Sequence, residues 1–267
     1  MSPQNILIVI LSISILAYIF DQLLDFINLK AQRKDIPAEI EEFYDREKYQ
    51  KSLDYQQAQT KFSFLSSGFS FVLSLLMLWF GGFGWLDGLL RPAFSNDITL
   101  ALIFFGIIAI VSDVLSLPFQ LYSTFVIEEK FGFNKTTAKT FIADKIKGYV
   151  LGAVIGGALL SVMIYLVKTI GPDFWIWFGF IAALFILFVN MFYTSLLLPL
   201  FNKLTPLGEG ELKTAIESFS QKVNFPLDNI FVMDGSKRSK KANAFFSGIG
   251  KKKKIVLYDT LINNHTT

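Results

Sequence analysis

The chain has 267 residues, 52% of them apolar, with 29 Phe and a mean hydropathy of +0.47. A soluble domain of this length does not need so much apolar surface. A net charge of +3 gives no global electrostatic case for nucleic acid, no Cys means no disulfide or thiolate metal site, and one His, His265, limits any metal site built from this stretch.

Asn5 to Leu24 is nearly all apolar and about as long as a membrane-spanning helix requires. A cleaved signal peptide fits poorly, because no Lys or Arg precedes Lys30 and no small-residue cleavage site follows. Asp21 and Asp25, four residues apart, share one face of the helix end. Lys30 to Lys61 is polar. Asp35 and Pro37 predict a cap and first-turn proline, with Glu39, Glu41 and Glu42 early and Lys48 and Lys51 late, matching the helix dipole. The expected element is a surface helix that runs on into the next apolar segment.

The second span is Phe62 to Phe80, broken by Gly81, Gly82 and Gly84, with an aromatic-rich turn to Asp97. The third is Ile98 to Pro118, where Pro118 is expected to kink or end the helix. Asp113 lies well inside it. A carboxylate at membrane depth is costly unless it faces protein or water, so Asp113 is either a functional residue or a hydrogen-bonding, capping one. Leu121 to Lys147 reads as a polar connection with a helix-like end from Phe141. Tyr149 to Ile170 is the fourth span, carrying Gly152, Gly156 and Gly157 for close helix packing. After the Gly171-Pro172 turn, Phe174 to Leu200 is the fifth, with Trp175 and Trp177 as interface anchors and Asn190 within it.

The character changes after Pro199. Leu212, Ala215, Ile216, Phe219 and Val223 recur at helical spacing, predicting an amphipathic helix over Glu211 to Val223 that Asn224 and Pro226 end. Asn229 to Met233 reads as a strand. Ala242 to Ser247 and Lys254 to Tyr258 form a β-hairpin, with Gly248 and Gly250 in the reversal. Such a hairpin is either an ordinary edge protected by its lysines or an open edge that binds an extended peptide by main-chain hydrogen bonds. Asp259 to Ile262 starts a further turn or helix. Residues 1–202 are thus a membrane domain with spans near 5–24, 62–80, 98–118, 149–170 and 174–200, and residues 203–267 a small cytosolic α/β piece. The fold class is all-α polytopic membrane helices with that piece appended.

Of the 25 Lys and Arg residues, 23 fall between Lys30 and Lys61, between Lys130 and Lys147, or from Lys203 onward. These segments share one side of a five-span protein. The positive-inside rule places them in the cytosol and the N-terminus outside or in a lumen. Lys251 to Lys254 can touch anionic headgroups or stand as a solvated turn.

Three separated motifs carry a family likeness: Tyr44 to Gln57 (YDREKYQKSLDYQQ), Thr124 to Asn134 (TFVIEEKFGFN), and Val223 to Ile262, including Met233-Asp-Gly-Ser-Lys-Arg and Asn243-Ala-Phe. On these motifs the chain resembles the integral-membrane zinc CAAX prenyl proteases. The resemblance implies seven membrane helices around a water-filled chamber, a zinc site facing it, and endoproteolysis near the C-terminus of a lipidated Cys-a-a-X protein or peptide. It implies that Asn243 and Ala244 hold an extended substrate beside the zinc, with Phe245 a lesser contributor. Asp113 and Asn190 line the chamber on this likeness, and Glu128 and Glu129 match a motif with a structural or chamber-wall role.

One departure stands out. The family's zinc motif, H-E-x-x-H, places two His on one helix face and a water-activating Glu between them. Here only His265 is present, with no Glu beside it, so the stretch is expected to be an N-terminal fragment with no catalytic residue, no zinc ligand and no peptidase activity of its own. The expected partners are the bilayer and a peptide or prenylated protein, and no nucleic acid. The alternative is a non-catalytic scaffold, an inactive homologue or a transporter, prompted by the missing ligands and by Asp113.

Overall fold

The computed structural model describes residues 2–33, 35–36, 42, 45–250 and 252–264. It separates into two compact units, Met1–Phe131 and Gly132–Thr267.

The first unit is helical. α1 (Pro3–Ala31) begins with Ser2 as cap, its hydroxyl accepting from the Asn5 N–H at 3.2 Å, and with Pro3 in the first turn. α2 (Arg46–Trp79) is capped by Asp45, whose carboxylate accepts from the Glu47 and Lys48 N–H groups at 2.8 and 3.1 Å. The cap expected at Asp35 is therefore not the one this helix uses, while Pro37, Glu39 and Glu41 lie outside the described residues. The short α3 (Gly82–Leu90) occupies what the sequence reads as a turn; it follows Gly81 at φ +67° and buries Leu86. α4 (Asp97–Tyr122) starts at an Asn96 cap and does not stop at Pro118. It continues through a wide π turn over Ser123–Ile127 into α5 (Glu128–Lys130). A proline removes one N–H from the ladder, and the helical turns on both sides persist. The first ten residues of the connection expected from Leu121 are therefore helix, up to Lys130.

Aromatic stacking holds these helices together. Tyr18 of α1 stacks on Phe71 of α2 at 3.9 Å, and Phe69 and Phe62 of α2 meet Phe119 at 5.1 and 6.1 Å. Elsewhere the apolar side chains point outward: Ile13, Leu16 and Phe80 are 62%, 67% and 76% exposed. Water would make such a surface aggregate, whereas a bilayer solvates it.

In the second unit α6 (Ala138–Ile170) and α7 (Phe174–Phe192) pack against each other across a tight turn, Gly171–Asp173. A second π turn, Tyr193–Leu197, leads into α8 (Leu198–Phe201). The helical runs long and apolar enough to cross a membrane are Pro3–Ala31, Arg46–Trp79, Asp97–Lys130 and Ala138–Phe201, and the last of them contains both α6 and α7. Each of the five apolar segments read from the sequence thus falls on a helix, and the protein is an integral, multi-pass membrane protein.

A small mixed sheet follows. Its strands are β1 (Leu204–Pro206), β2 (Leu227–Met233), β3 (Ala244–Ser247) and β4 (Lys253–Tyr258), in the order β1-β2-β4-β3. β2 and β4 are parallel, and the two outer pairings are antiparallel. Between β1 and β2 runs the amphipathic α9 (Glu211–Lys222), and α10 (Asp259–Asn264) follows β4. Asn224, at φ +53°, turns the chain after α9. Leu198 of α8, Met233 and Val256 form the sheet's core, with Leu204, Phe231, Phe245 and Tyr258 packed around them.

The β3–β4 turn depends on Gly248, at φ +96°: a Cβ there would lie 2.1 Å from the Lys252 carbonyl oxygen. At Gly250, φ +62°, a Cβ meets nothing within 4 Å. Gly250→Ala is expected to cost about 1 kcal/mol, the ordinary left-handed penalty, and Gly248→Ala clearly more. Equilibrium unfolding of the two variants checks the ranking.

Candidate functional site

β3 is the last strand of the sheet, so one side of it has no strand neighbour among the described residues. Its register determines which groups face that side. The Tyr258 N–H donates to the Asn243 carbonyl at 3.0 Å, and Ala244, Phe245, Phe246 and Ser247 oppose Leu257, Val256, Ile255 and Lys254. Antiparallel ladders alternate between bonded and non-bonded pairs. Asn243, Phe245 and Ser247 therefore spend their main-chain groups on β4, and Ala244 and Phe246 turn theirs outward. The Ala244 N–H is taken by the Asn243 side-chain oxygen at 2.8 Å. The Ala244 C=O and the Phe246 N–H and C=O are left facing the open side.

The side chains alternate as well. Phe245 points to the end of α7 and lies edge-on to Tyr193 and Tyr258, with centroids at 6.2 and 6.4 Å. Ser247 hydrogen-bonds the buried Thr194, and the Lys254 ammonium donates to the Ser195 hydroxyl at 2.9 Å. All three helix partners lie in the π turn after α7. Phe246 points the other way, 65% exposed, edge-on to Phe225 at 5.6 Å. The strand's ends are anchored too: the Thr260 hydroxyl donates to the Lys241 carbonyl at 2.9 Å, and the Ser236 N–H donates to Asp259 at 2.8 Å.

A second arrangement fixes the sheet to the helices of its own unit. The Arg238 guanidinium meets both oxygens of Asp144, at 2.7 and 2.9 Å, donates to the Phe201 carbonyl at 2.8 Å and bonds the Asn202 side chain. Its own carbonyl accepts from the Lys135 N–H at 2.9 Å and the Thr136 hydroxyl at 3.1 Å. A bidentate Arg–carboxylate pair is directional as well as strong. Here it joins the start of α6, the end of α8 and the loop after β2.

The other expected residues divide between the units. Asn190 sits on α7 one turn before Tyr193, exposed, its amide donating to the Ile186 carbonyl at 2.8 Å. Asp113 and Glu128 belong to the first unit. Asp113 accepts from Gln120, two turns along the same helix, at 3.1 Å. Glu128 accepts from the Tyr55 hydroxyl and from Gln59 at 3.0 Å, while Gln59 also donates to Tyr55 at 2.8 Å. The first two sequence motifs thus meet at a carboxylate–phenol–amide cluster. Glu129, beside it, is exposed. Sequence reasoning missed Phe246, because strand parity cannot be known before the register. It missed Asp144 as well, 94 positions from Arg238, although a charge at the foot of an apolar helix is a usable signal.

The described residues do not supply a donor set for a metal. Among the described residues no group of three or more His, Cys, Asp or Glu could hold an ion. The sequence has no Cys, and its one His, His265, lies outside the described residues. Structural and catalytic zinc sites draw mainly on those two residue types.

Long lipid-facing helices joined to a small mixed sheet with an open edge define a polytopic membrane protein carrying an α/β peptidase-like piece. Residues 25–203 match the family described as "CAAX prenyl protease N-terminal, five membrane helices", and residues 206–267 match "Peptidase family M48". The chain belongs to the CAAX prenyl protease family. It is 36% identical over 273 residues to CAAX prenyl protease 1 of Saccharomyces cerevisiae, covering 97% of this chain and 60% of that protein. It is 37% identical over 238 residues to the CAAX prenyl protease 1 homolog of Homo sapiens, covering 86% of this chain and 50% of that one. The fold matches the crystal structure of S. mikatae Ste24p with a TM-score of 0.88 at 36% identity, over 98% of this chain and 62% of that one. The chain therefore spans about half to three fifths of the relatives it matches.

Proposed function

We propose that this chain supplies the membrane helices and the substrate-holding strand of a zinc metalloendopeptidase that cuts near the C-terminus of lipidated or membrane-associated proteins. The observation that carries the reading is the outward pair on β3. An acceptor at Ala244 and a donor and acceptor at Phe246, spaced for an antiparallel or parallel partner, are what strand addition requires. Asn243 holds the Ala244 N–H and so presets the first of these positions. The names of the relatives support a Cys-a-a-X substrate, a motif whose Cys carries a prenyl group. Residues 1–202 form the membrane domain, residues 203–267 begin the peptidase domain on the cytosolic side, and the N-terminus is outside or luminal. The basic loops support this orientation.

The chain's own residues can bind and orient an extended peptide, and the described residues include no donor set for zinc. The purified 267-residue chain is therefore expected to bind a farnesylated Cys-a-a-X peptide without cleaving it, with or without added zinc. Fluorescence anisotropy reads binding and mass spectrometry reads cleavage. Asn243→Ala is expected to weaken binding a few-fold. Cleavage by this chain, or binding indifferent to both the Asn243 variant and a β3 proline, overturns the assignment.

A further inference from the structure

We propose that a cleft between α2 and the α4–α5 helical run is a binding site for one anionic phospholipid. The cleft has a volume of about 280 Å³ and is lined by Phe62, Leu65, Tyr122 and Val126, with Lys61 and Lys130 among its walls. No carboxylate lines it. Phe62 and Tyr122 stack at 4.9 Å, closing one wall with aromatic surface. The neighbouring carboxylate, Glu128, is directed to Tyr55 and Gln59.

The placement of the two lysines along their helices decides what the cleft takes. Lys61 is the last charged residue of α2, and Phe62 to Phe80 has none. In the returning run, no charge occurs between Asp113 and Glu128, and Lys130 ends that run. Both ammonium groups therefore stand where apolar helix gives way to polar helix, the depth of a phosphate headgroup. The aromatic and aliphatic lining continues from there into the apolar zone, the depth of an acyl chain. An amphiphile with a negative head and an apolar tail satisfies both halves at once. A basic pocket between membrane helices at this level is a recognised form of lipid site.

Native mass spectrometry of the full chain in detergent tests this, with phosphatidylglycerol and phosphatidylcholine of identical tails offered at equal concentration. Phosphatidylglycerol is expected to remain bound under activation that strips phosphatidylcholine. Removing a lysine close to the headgroup is expected to weaken retention about fivefold, so Lys61→Gln with Lys130→Gln should lower it by well over tenfold. Lys51→Gln, which removes one positive charge higher on α2, should leave it unchanged. Val126→Trp fills the apolar half and should also displace the lipid, with helix content preserved by circular dichroism. Equal retention of the two lipids, persistence of phosphatidylglycerol in the double variant, or an equal loss from Lys51→Gln overturns the proposal.

Discussion

Replacing Arg238 with Ala is expected to loosen the sheet from the helices of its own unit while leaving the helices intact. The guanidinium contacts Asp144 twice, the Phe201 carbonyl once and Asn202 once, so truncation orphans several acceptors together. Charge-assisted hydrogen bonds contribute about 1.5–3 kcal/mol each in protected settings. Arg238 and Asp144 side chains are each 25% exposed, and water can take up part of the loss. A net cost of about 2 kcal/mol is therefore expected. It should speed amide exchange at Lys135 and Lys240, whose N–H groups bond the Arg238 and Phe133 carbonyls, by roughly thirtyfold. Arg238→Lys should restore little, because an ammonium cannot grip both carboxylate oxygens in one plane. A double-mutant cycle with Asp144→Asn should recover most of the loss as coupling. Near-additive effects would mean that the pair is incidental.

The second large effect is a contrast between neighbours. Phe246→Pro removes an N–H that faces the open side of β3, so the ladder to β4 keeps all its bonds. Proline is tolerated at such edge positions. Phe245→Pro removes an N–H that bonds Val256 and also deletes a ring packed on Tyr193 and Tyr258, a loss on the order of 3 kcal/mol. The expected outcome is a folded Phe246→Pro protein whose affinity for an extended Cys-a-a-X peptide falls about five- to tenfold, since a donor is lost and the ring projects into the docking lane. Phe245→Pro should instead unfold the sheet. Thermal unfolding beside peptide anisotropy separates the two. Unchanged peptide affinity in Phe246→Pro would remove β3 as a docking strand.

Local chemistry made much of this readable. The hairpin was legible because a β-branched run and two glycines mark a reversal without any tertiary contact. Helix α9 was legible from five apolar residues at helical spacing. Helix α3 was not, because Gly82, Gly84 and Gly88 argue against a helix and only the burial of Leu86 reverses that preference. Of the two outcomes expected at Pro118, a kink or an end, the end does not occur: proline propensity is a local penalty, and neighbouring groups in a spanning helix can take up the freed carbonyl. β1 was invisible at three residues with a proline at its end; it exists because β2 offers it a ladder. For the candidate site, a motif points to Asn243 and Ala244, whereas the placement of Phe246 and the Arg238–Asp144 pair depends on register and long-range folding.

Each of the two π turns sets the azimuth of the helix beyond it. A five-residue turn in place of a four-residue one amounts to a single inserted residue, which rotates the rest of the rod by about 100°. In Tyr193–Leu197 that phase step carries Thr194 to Ser247 and Leu198 into the sheet's interior, although upstream positions of α7 face outward. One continuous rod can thus present one stripe to hydrocarbon and another to a folded domain, with the change of stripe built into the chain at the boundary between the two solvents.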